Sequence, residues 1–218
     1  MIKIYLLGRF EISTNNRQTS LFFDKTKKGS QFLQYLLLKE EYIPSTELYK
    51  VLWPGNSIGN PESALKTLVF RTRTKLNRYD KQLGKCIVTD SGGYYWSDDF
   101  AYAVDIYLFE KRCRELLNVK DIDEVSLAAF EDALGLYVGD LGHGDEGGFL
   151  VVSRSAYYHT LYLRLAAHAV CLLKQKNHLE AIIRICRRVM RIDPYDEMIR
   201  LALTDALART NQAREISL

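Results

Sequence analysis

Apolar positions at the start of the chain alternate: Ile2, Ile4 and Leu6, then Phe10 and Ile12, with Leu21-Phe22-Phe23 following a polar turn at Asn15-Asn16. A period of two sends every second side chain to one face, so this opening predicts short antiparallel strands. Near Thr26 the period lengthens, and Phe32, Leu33, Leu36 and Leu37 share one side of a helix. Ser45, after Pro44, is suited to cap a short helix carrying Leu48, Val51 and Leu52. Trp53-Pro54-Gly55 should end it, because proline cannot continue the hydrogen-bond ladder. Asn60-Pro61 predicts a third start, a capping side chain followed by proline at the first helical position, and this helix should run to about Leu76 or Arg78. Two β-rich runs, Cys86-Ile87-Val88-Thr89 and Tyr94-Tyr95-Trp96, flank Asp90-Ser91-Gly92-Gly93 and predict a hairpin.

From Asp105 onward the pattern is helical, with helices expected over 106–118, 124–138, 151–175, 178–191 and 195–209. An internal repeat shows at an offset of 34 residues, where Leu173 matches Leu207, Asn177 matches Asn211 and Ile182 matches Ile216. With Pro194 closing the first copy, this is the period of a tetratricopeptide-like helical hairpin. On that alignment the chain stops inside the second helix of a second copy, so a longer protein, truncated at the C-terminus, is expected. Two domains are expected in all: an α+β unit over residues 1–105 and an all-α, tetratricopeptide-like unit over 106–218.

Charge sharpens the first unit. Residues 1–105 hold 15 Lys/Arg and 11 Asp/Glu, whereas 106–218 hold 15 and 16. Within the first unit, residues 66–85 carry seven cations, Lys66, Arg71, Arg73, Lys75, Arg78, Lys81 and Lys85, against the single acid Asp80. Such a cluster attracts polyanions. On a wheel of about 100° per residue, Leu65, Val69, Thr72 and Leu76 form one narrow stripe, with Ala64 and Leu68 at its margins. Thr67, Phe70, Arg71, Thr74 and Arg78 point the opposite way, with Lys66, Arg73 and Lys75 on the flanks. A major-groove helix needs this layout: Thr67, Phe70, Arg71 and Thr74 reach base edges, while Lys66, Arg73, Lys75, Arg78 and Lys85 meet phosphates. The hairpin, with Gly93, Tyr94 and Tyr95 near its tip, is then placed to lie on the neighbouring backbone as a wing, although Tyr94 is equally suited to the core.

Five strings carry a family resemblance. They are Ile4-Tyr5-Leu6-Leu7-Gly8-Arg9-Phe10-Glu11-Ile12, Leu48-Tyr49-Lys50-Val51-Leu52-Trp53-Pro54, the run Arg71-Thr72-Arg73-Thr74-Lys75-Leu76, Gly92-Gly93-Tyr94-Tyr95-Trp96, and Val104-Asp105-Ile106-Tyr107-Leu108-Phe109-Glu110. In that order the chain resembles the Streptomyces antibiotic regulatory protein (SARP) family, an OmpR-type winged helix joined to a bacterial transcriptional activator domain. The likeness continues through Ala133-Leu134-Gly135-Leu136-Tyr137-Val138-Gly139-Asp140 and Asp193-Pro194-Tyr195-Asp196-Glu197. It implies a winged helix-turn-helix domain followed by a tetratricopeptide-like domain, in an activator that binds repeated promoter sites as side-by-side protomers and helps recruit RNA polymerase. Arg71 and Arg73 fall on the paired arginines of the family's recognition helix, and Gly93-Tyr94 on the wing's Gly-Tyr. Thr72 stands where the family has leucine, and Val151-Val152-Ser153-Arg154 replaces a more aromatic stretch.

Other chemistry finds little support. No phosphate-loop motif occurs, and residues 139–148 combine glycines with three acids and no cation, which would repel phosphate. His143, Asp145 and Glu146 in that loop lack a second cluster to complete a metal or acid-base site. His159, His168 and His178 lie in helical segments and are expected to be packed or partly solvated rather than catalytic. Cys86, Cys113, Cys171 and Cys186 are scattered, so reduced, mostly buried thiols are expected, with no metal, no cofactor and no catalytic residue. No apolar stretch reaches the roughly 18–20 residues of a membrane-spanning helix, and Met1-Ile2-Lys3 does not open a signal peptide, so a cytoplasmic location is expected. The rival to DNA binding is a helical-repeat interaction protein whose first unit docks protein; it would present an apolar or mixed-charge face where this chain pairs Thr and Phe with cations.

Overall fold

The computed structural model describes residues 1–15, 18–56, 58–141 and 148–216. His143, Asp145 and Glu146, and Asn16 of the expected first turn, lie outside the described residues. The chain forms two compact units, one of residues 1–106 with 140–156, the other of 107–139 with 157–218.

In the first unit β1 (Ile2–Tyr5) pairs antiparallel with β2 (Glu11–Thr14), and β2 pairs antiparallel with β3 (Leu21–Phe22). The alternation read from the sequence sends Ile2, Ile4 and Ile12 inward. On its other edge β1 takes a strand that the sequence reading missed. After α1 (Lys28–Lys39), β4 (Ile43–Pro44), α2 (Ser45–Leu52), α3 (Pro61–Tyr79), β5 (Ile87–Asp90) and β6 (Gly93–Trp96), the chain returns as β7 (Tyr102–Val104) and lies parallel to β1. Three residues are too few to display a period, and their partner is far off in sequence. β4, β6 and β5 make a second, antiparallel sheet, in that order.

Ser45 is not the cap of α2. Pro44 occupies that position, and the Ser45 N–H instead donates to the carbonyl of Gly92, 3.0 Å away, tying the helix start to the hairpin turn. Asn60 does cap α3, its side chain accepting from the Ser63 N–H at 2.9 Å with Pro61 next to it. Every residue from Ser30 to Leu38 is buried, so α1 is the central helix of the unit.

Asp105 locks the end of β1. Its carboxylate, 7% exposed, accepts from the N–H of Leu6 at 2.8 Å and of Leu7 at 3.1 Å, both fully buried residues. Asp140 and Leu141 return to the same unit. The Asp140 carbonyl accepts from Gly8 N–H and from Lys25 Nζ, and the Leu141 carbonyl from Nε2 of the buried Gln34 at 2.9 Å. Residues 1–105 by themselves would lack these acceptors, which the sequence reading assigned to the helical half.

The second unit is built from α4 (Asp105–Leu116) beyond its first turn, α5 (Glu124–Leu136), the part of α6 (Gly148–Gln175) from Tyr157 on, α7 (Leu179–Met190) and α8 (Glu197–Ile216). Phe109, Phe130, Tyr137, Tyr158 and Tyr162 fill its core, with Tyr137 and Tyr162 stacked at 4.6 Å between ring centres. His159 bridges the Tyr137 hydroxyl and the Asp193 carboxylate, and His168 Nε2 lies 2.9 Å from the Val119 carbonyl, so both pack as expected. Asn177, in the left-handed region at φ 56°, turns the chain between α6 and α7. Its match Asn211 does not repeat the turn, because α8 continues through it to Ile216. Cys86, Cys113 and Cys186 are buried and Cys171 is exposed. Among the described residues no cluster is set to hold a metal, and no helix is long and apolar enough to cross a membrane.

Candidate nucleic-acid interface

The helical wheel of α3 survives translation into three dimensions. Leu65, Val69, Thr72 and Leu76 are buried, while Ala64 and Leu68 are half-buried. Thr67, Phe70 and Arg71 are exposed, Phe70 at 69%, and Thr74 is half-buried with its hydroxyl on the Phe70 carbonyl at 2.9 Å. The polar Thr72 fits the inner stripe because its hydroxyl donates to the Leu68 carbonyl at 2.8 Å. It also brings α3 close to α1: a Cβ at Gly29 would sit 3.1 Å from that hydroxyl.

Tertiary packing divides the seven cations into two groups. Arg73 reaches the hairpin, where its Nε and Nη2 donate to the Ile87 carbonyl at 3.2 and 2.7 Å and Nη2 also donates to the Thr89 hydroxyl at 2.8 Å. Lys75 folds back over the ring of Phe23, 4.1 Å from its centre, and donates to the Phe22 carbonyl. Desolvation there holds its ammonium pKa below the ordinary lysine value. Lys66 pairs with Glu62 one turn away at 2.6 Å, both in solvent. Arg71, Arg78, Lys81 and Lys85 are exposed and, among the described residues, make no ion pair.

Arg73 therefore holds the hairpin to α3. Arg73→Ala is expected to lower stability by about 1–3 kcal/mol through the loss of charge-assisted bonds to the Ile87 carbonyl and Thr89. Urea unfolding checks this; an unchanged midpoint would show that β5 keeps its place without the guanidinium.

The hairpin tip is Ser91-Gly92, both at positive φ, the backbone that a two-residue turn of matching twist requires. Gly93 is one step inside and buried, since a Cβ there would fall 2.4 Å from the Ile43 carbonyl. Tyr94 lies in the core, 6% exposed and edge-on to Phe32 at 5.8 Å, so of the two places open to it, wing surface and core, it takes the core. The strand period explains this: Tyr94 and Trp96 face inward, leaving half-buried Tyr95 as the aromatic with access to solvent.

Lys27, which the sequence reading did not select, lines a hollow of about 270 Å³ together with Arg71, Thr72 and Lys75. Its signal was the basic run Lys25-Thr26-Lys27-Lys28 directly before a helix. The resulting surface combines the protruding Thr67, Phe70 and Arg71 with three further uncommitted cations, Arg78, Lys81 and Lys85, beside a hairpin turn. It can approach a groove, donate to acceptors on base edges, and neutralise phosphates.

A family model described as "Bacterial transcriptional activator domain" matches residues 104–215. Among solved structures the chain is similar to Mycobacterium tuberculosis EmbR, in a structure described as a complex with a low affinity phosphopeptide. The TM-score is 0.67 at 15% identity, over 98% of this chain and 56% of that one. At this identity the likeness is one of fold, and this chain spans little more than half the length of that protein. No curated protein matches the chain.

Proposed function

The chain belongs to the bacterial transcriptional activator domain family as a SARP-type regulator, and on that premise we propose that it binds duplex promoter DNA through the outer face of α3. The observation that carries this reading is the division of α3, apolar side seated and Thr67, Phe70 and Arg71 protruding beside uncommitted cations. In this reading the first unit is a winged helix-turn-helix, α3 is its recognition helix, and β5–β6 is its wing. Thr67, Phe70, Arg71 and Thr74 contact bases; Arg78 and Lys85 contact phosphates, and Lys66, Arg73 and Lys75 do so as far as their present partners allow. The backbone around Gly93 and the half-buried Tyr95 belong to the wing. The protein acts without a cofactor or catalytic step, in the cytoplasm, and its second unit meets RNA polymerase and neighbouring protomers.

Selection of binding sites from random duplexes tests the core of this reading. A recurrent motif is expected. Arg71→Ala should cost about 1–3 kcal/mol on that motif and relax preference at one position, whereas Arg78→Ala should weaken all sequences alike. Failure to retain any duplex would favour the protein-docking alternative. Side-by-side binding has its own check: where motifs recur near one helical turn apart, inserting about half a turn, roughly 5 base pairs, should weaken joint occupancy. Unchanged joint occupancy would remove the contact between protomers.

A further inference from the structure

The second unit carries a basic groove that the DNA reading does not use. α7 and the residue that follows it place Arg184, Arg187, Arg188 and Arg191 at i, i+3, i+4 and i+7, along one side of a helix. Facing them is α5, and the hollow between the two, about 580 Å³, is floored by Leu134 and Ile185, which are almost fully buried. A second hollow of about 350 Å³ shares Leu134, Arg188 and Arg191 with the first and extends it past Val138 and Ile192.

The arginines are seated by design of the backbone. Gly135, within α5, admits Arg188: a Cβ there would lie 3.0 Å from Nη1, which donates to the Glu131 carbonyl at 2.9 Å. Glu131 is also bound by Arg184 through Nε at 3.1 Å and Nη2 at 3.0 Å. Arg187 and Arg191 make no side-chain hydrogen bond or ion pair among the described residues. Four guanidinium groups thus line a groove that offers them one carboxylate, in a half of the chain where acids slightly outnumber bases. Concentrated like charge is self-repulsive and calls for an anionic partner.

The accessible apolar end of the groove decides which anion. A DNA duplex presents a convex wall of phosphates and sugars, with nothing to cover the exposed Val138 and half-buried Ile192 at the end of the groove. A carboxylate matches the planar guanidinium fork, and a polypeptide can carry it next to an apolar side chain. We propose that this groove receives an acidic peptide segment of a partner protein, its carboxylates on Arg187 and Arg191 and an apolar side chain over Val138 and Ile192. The proposal is independent of DNA binding by the first unit.

The test is a random-peptide display selection on the full chain and on the chain carrying Arg187→Glu with Arg191→Glu. Peptides with Asp or Glu beside Leu or Phe should be enriched on the unsubstituted chain alone. A synthetic peptide from that selection should lose on the order of tenfold or more in affinity for the variant. Arg187→Gln with Arg191→Gln, checked for unchanged circular dichroism and melting, guards against a folding artefact and should weaken the peptide in the same direction. Enrichment of the same peptides on both chains, or a selection without acidic bias, would overturn the proposal. Displacement of the bound peptide by random duplex DNA from the full chain, but not from the Arg71→Ala variant, would locate the peptide on α3 and overturn it too.

Discussion

Asp105→Ala is expected to destabilise the protein by about 2–5 kcal/mol, although Asp105 touches no proposed ligand. Its carboxylate is the acceptor for two backbone N–H groups in residues that have no exposure, Leu6 and Leu7. Without it both donors are buried and unpaired, at about 1–3 kcal/mol each. The anion is itself costly to hold there. Burial pushes the Asp105 carboxyl up to about 6, outweighing the backbone N–H groups of Leu6, Leu7 and Ile106 that favour its ionised form. The pKa is thus higher folded than unfolded, so the folded state binds the proton more tightly. The contribution of Asp105 is therefore largest below about pH 4 and declines as pH rises through about 6, above which it is constant. Urea unfolding of the unsubstituted chain and of Asp105→Asn should give a stability difference that shifts by about 1 kcal/mol between about pH 5 and about pH 7, to the detriment of the unsubstituted chain at the higher pH. A difference independent of pH would mean that the carboxyl titrates in place as it does in water. Full stability of Asp105→Ala would mean that water reaches the two N–H groups.

The second large effect is on DNA affinity. Counting cations along 66–85 leads to four to six phosphate contacts and a salt slope of roughly −4 to −5. The structure lowers that number, because Lys66 is paired with Glu62, Arg73 is spent on the hairpin, and Lys75 lies over Phe23. With Arg71 turned to base edges and Arg78, Lys81 and Lys85 uncommitted, about three phosphate contacts are expected, and a slope of roughly −2 to −3. Raising salt about fourfold should then weaken binding roughly 40-fold. Titrating a selected duplex at several salt concentrations measures this. A slope of about −5 or steeper would mean that the bound cations give up their present partners for phosphate, and a flat dependence would end the electrostatic reading of α3.

Local signals in the sequence were enough for the helices, the opening strands and the hairpin, and for the seating of α3. Alternation of Ile2, Ile4 and Ile12, the Asn60-Pro61 start and the Leu65-Val69-Thr72-Leu76 stripe each act within one or two turns or one strand, where side-chain period alone decides what faces inward. The Asp105 string also stood out as a motif, but nothing local says that its carboxylate serves Leu6 and Leu7. The same limit hid β7, whose three residues gain their meaning from β1, and misassigned Asp140 and Leu141, which complete the first unit from far along the chain. Charge counting failed at Lys75 and Arg73 for a related reason. A cation's availability depends on what lies within reach of its long side chain, here Phe23 and the Ile87 carbonyl, and not on its position on a wheel. The sequence by itself determined which faces are apolar and where helices start, because those follow from neighbours along the chain. Which cations remain free to act, which tyrosine is core, and what stands opposite Arg187 and Arg191 were decided only when distant segments met, since hydrogen-bond partners and desolvation are properties of the packed chain.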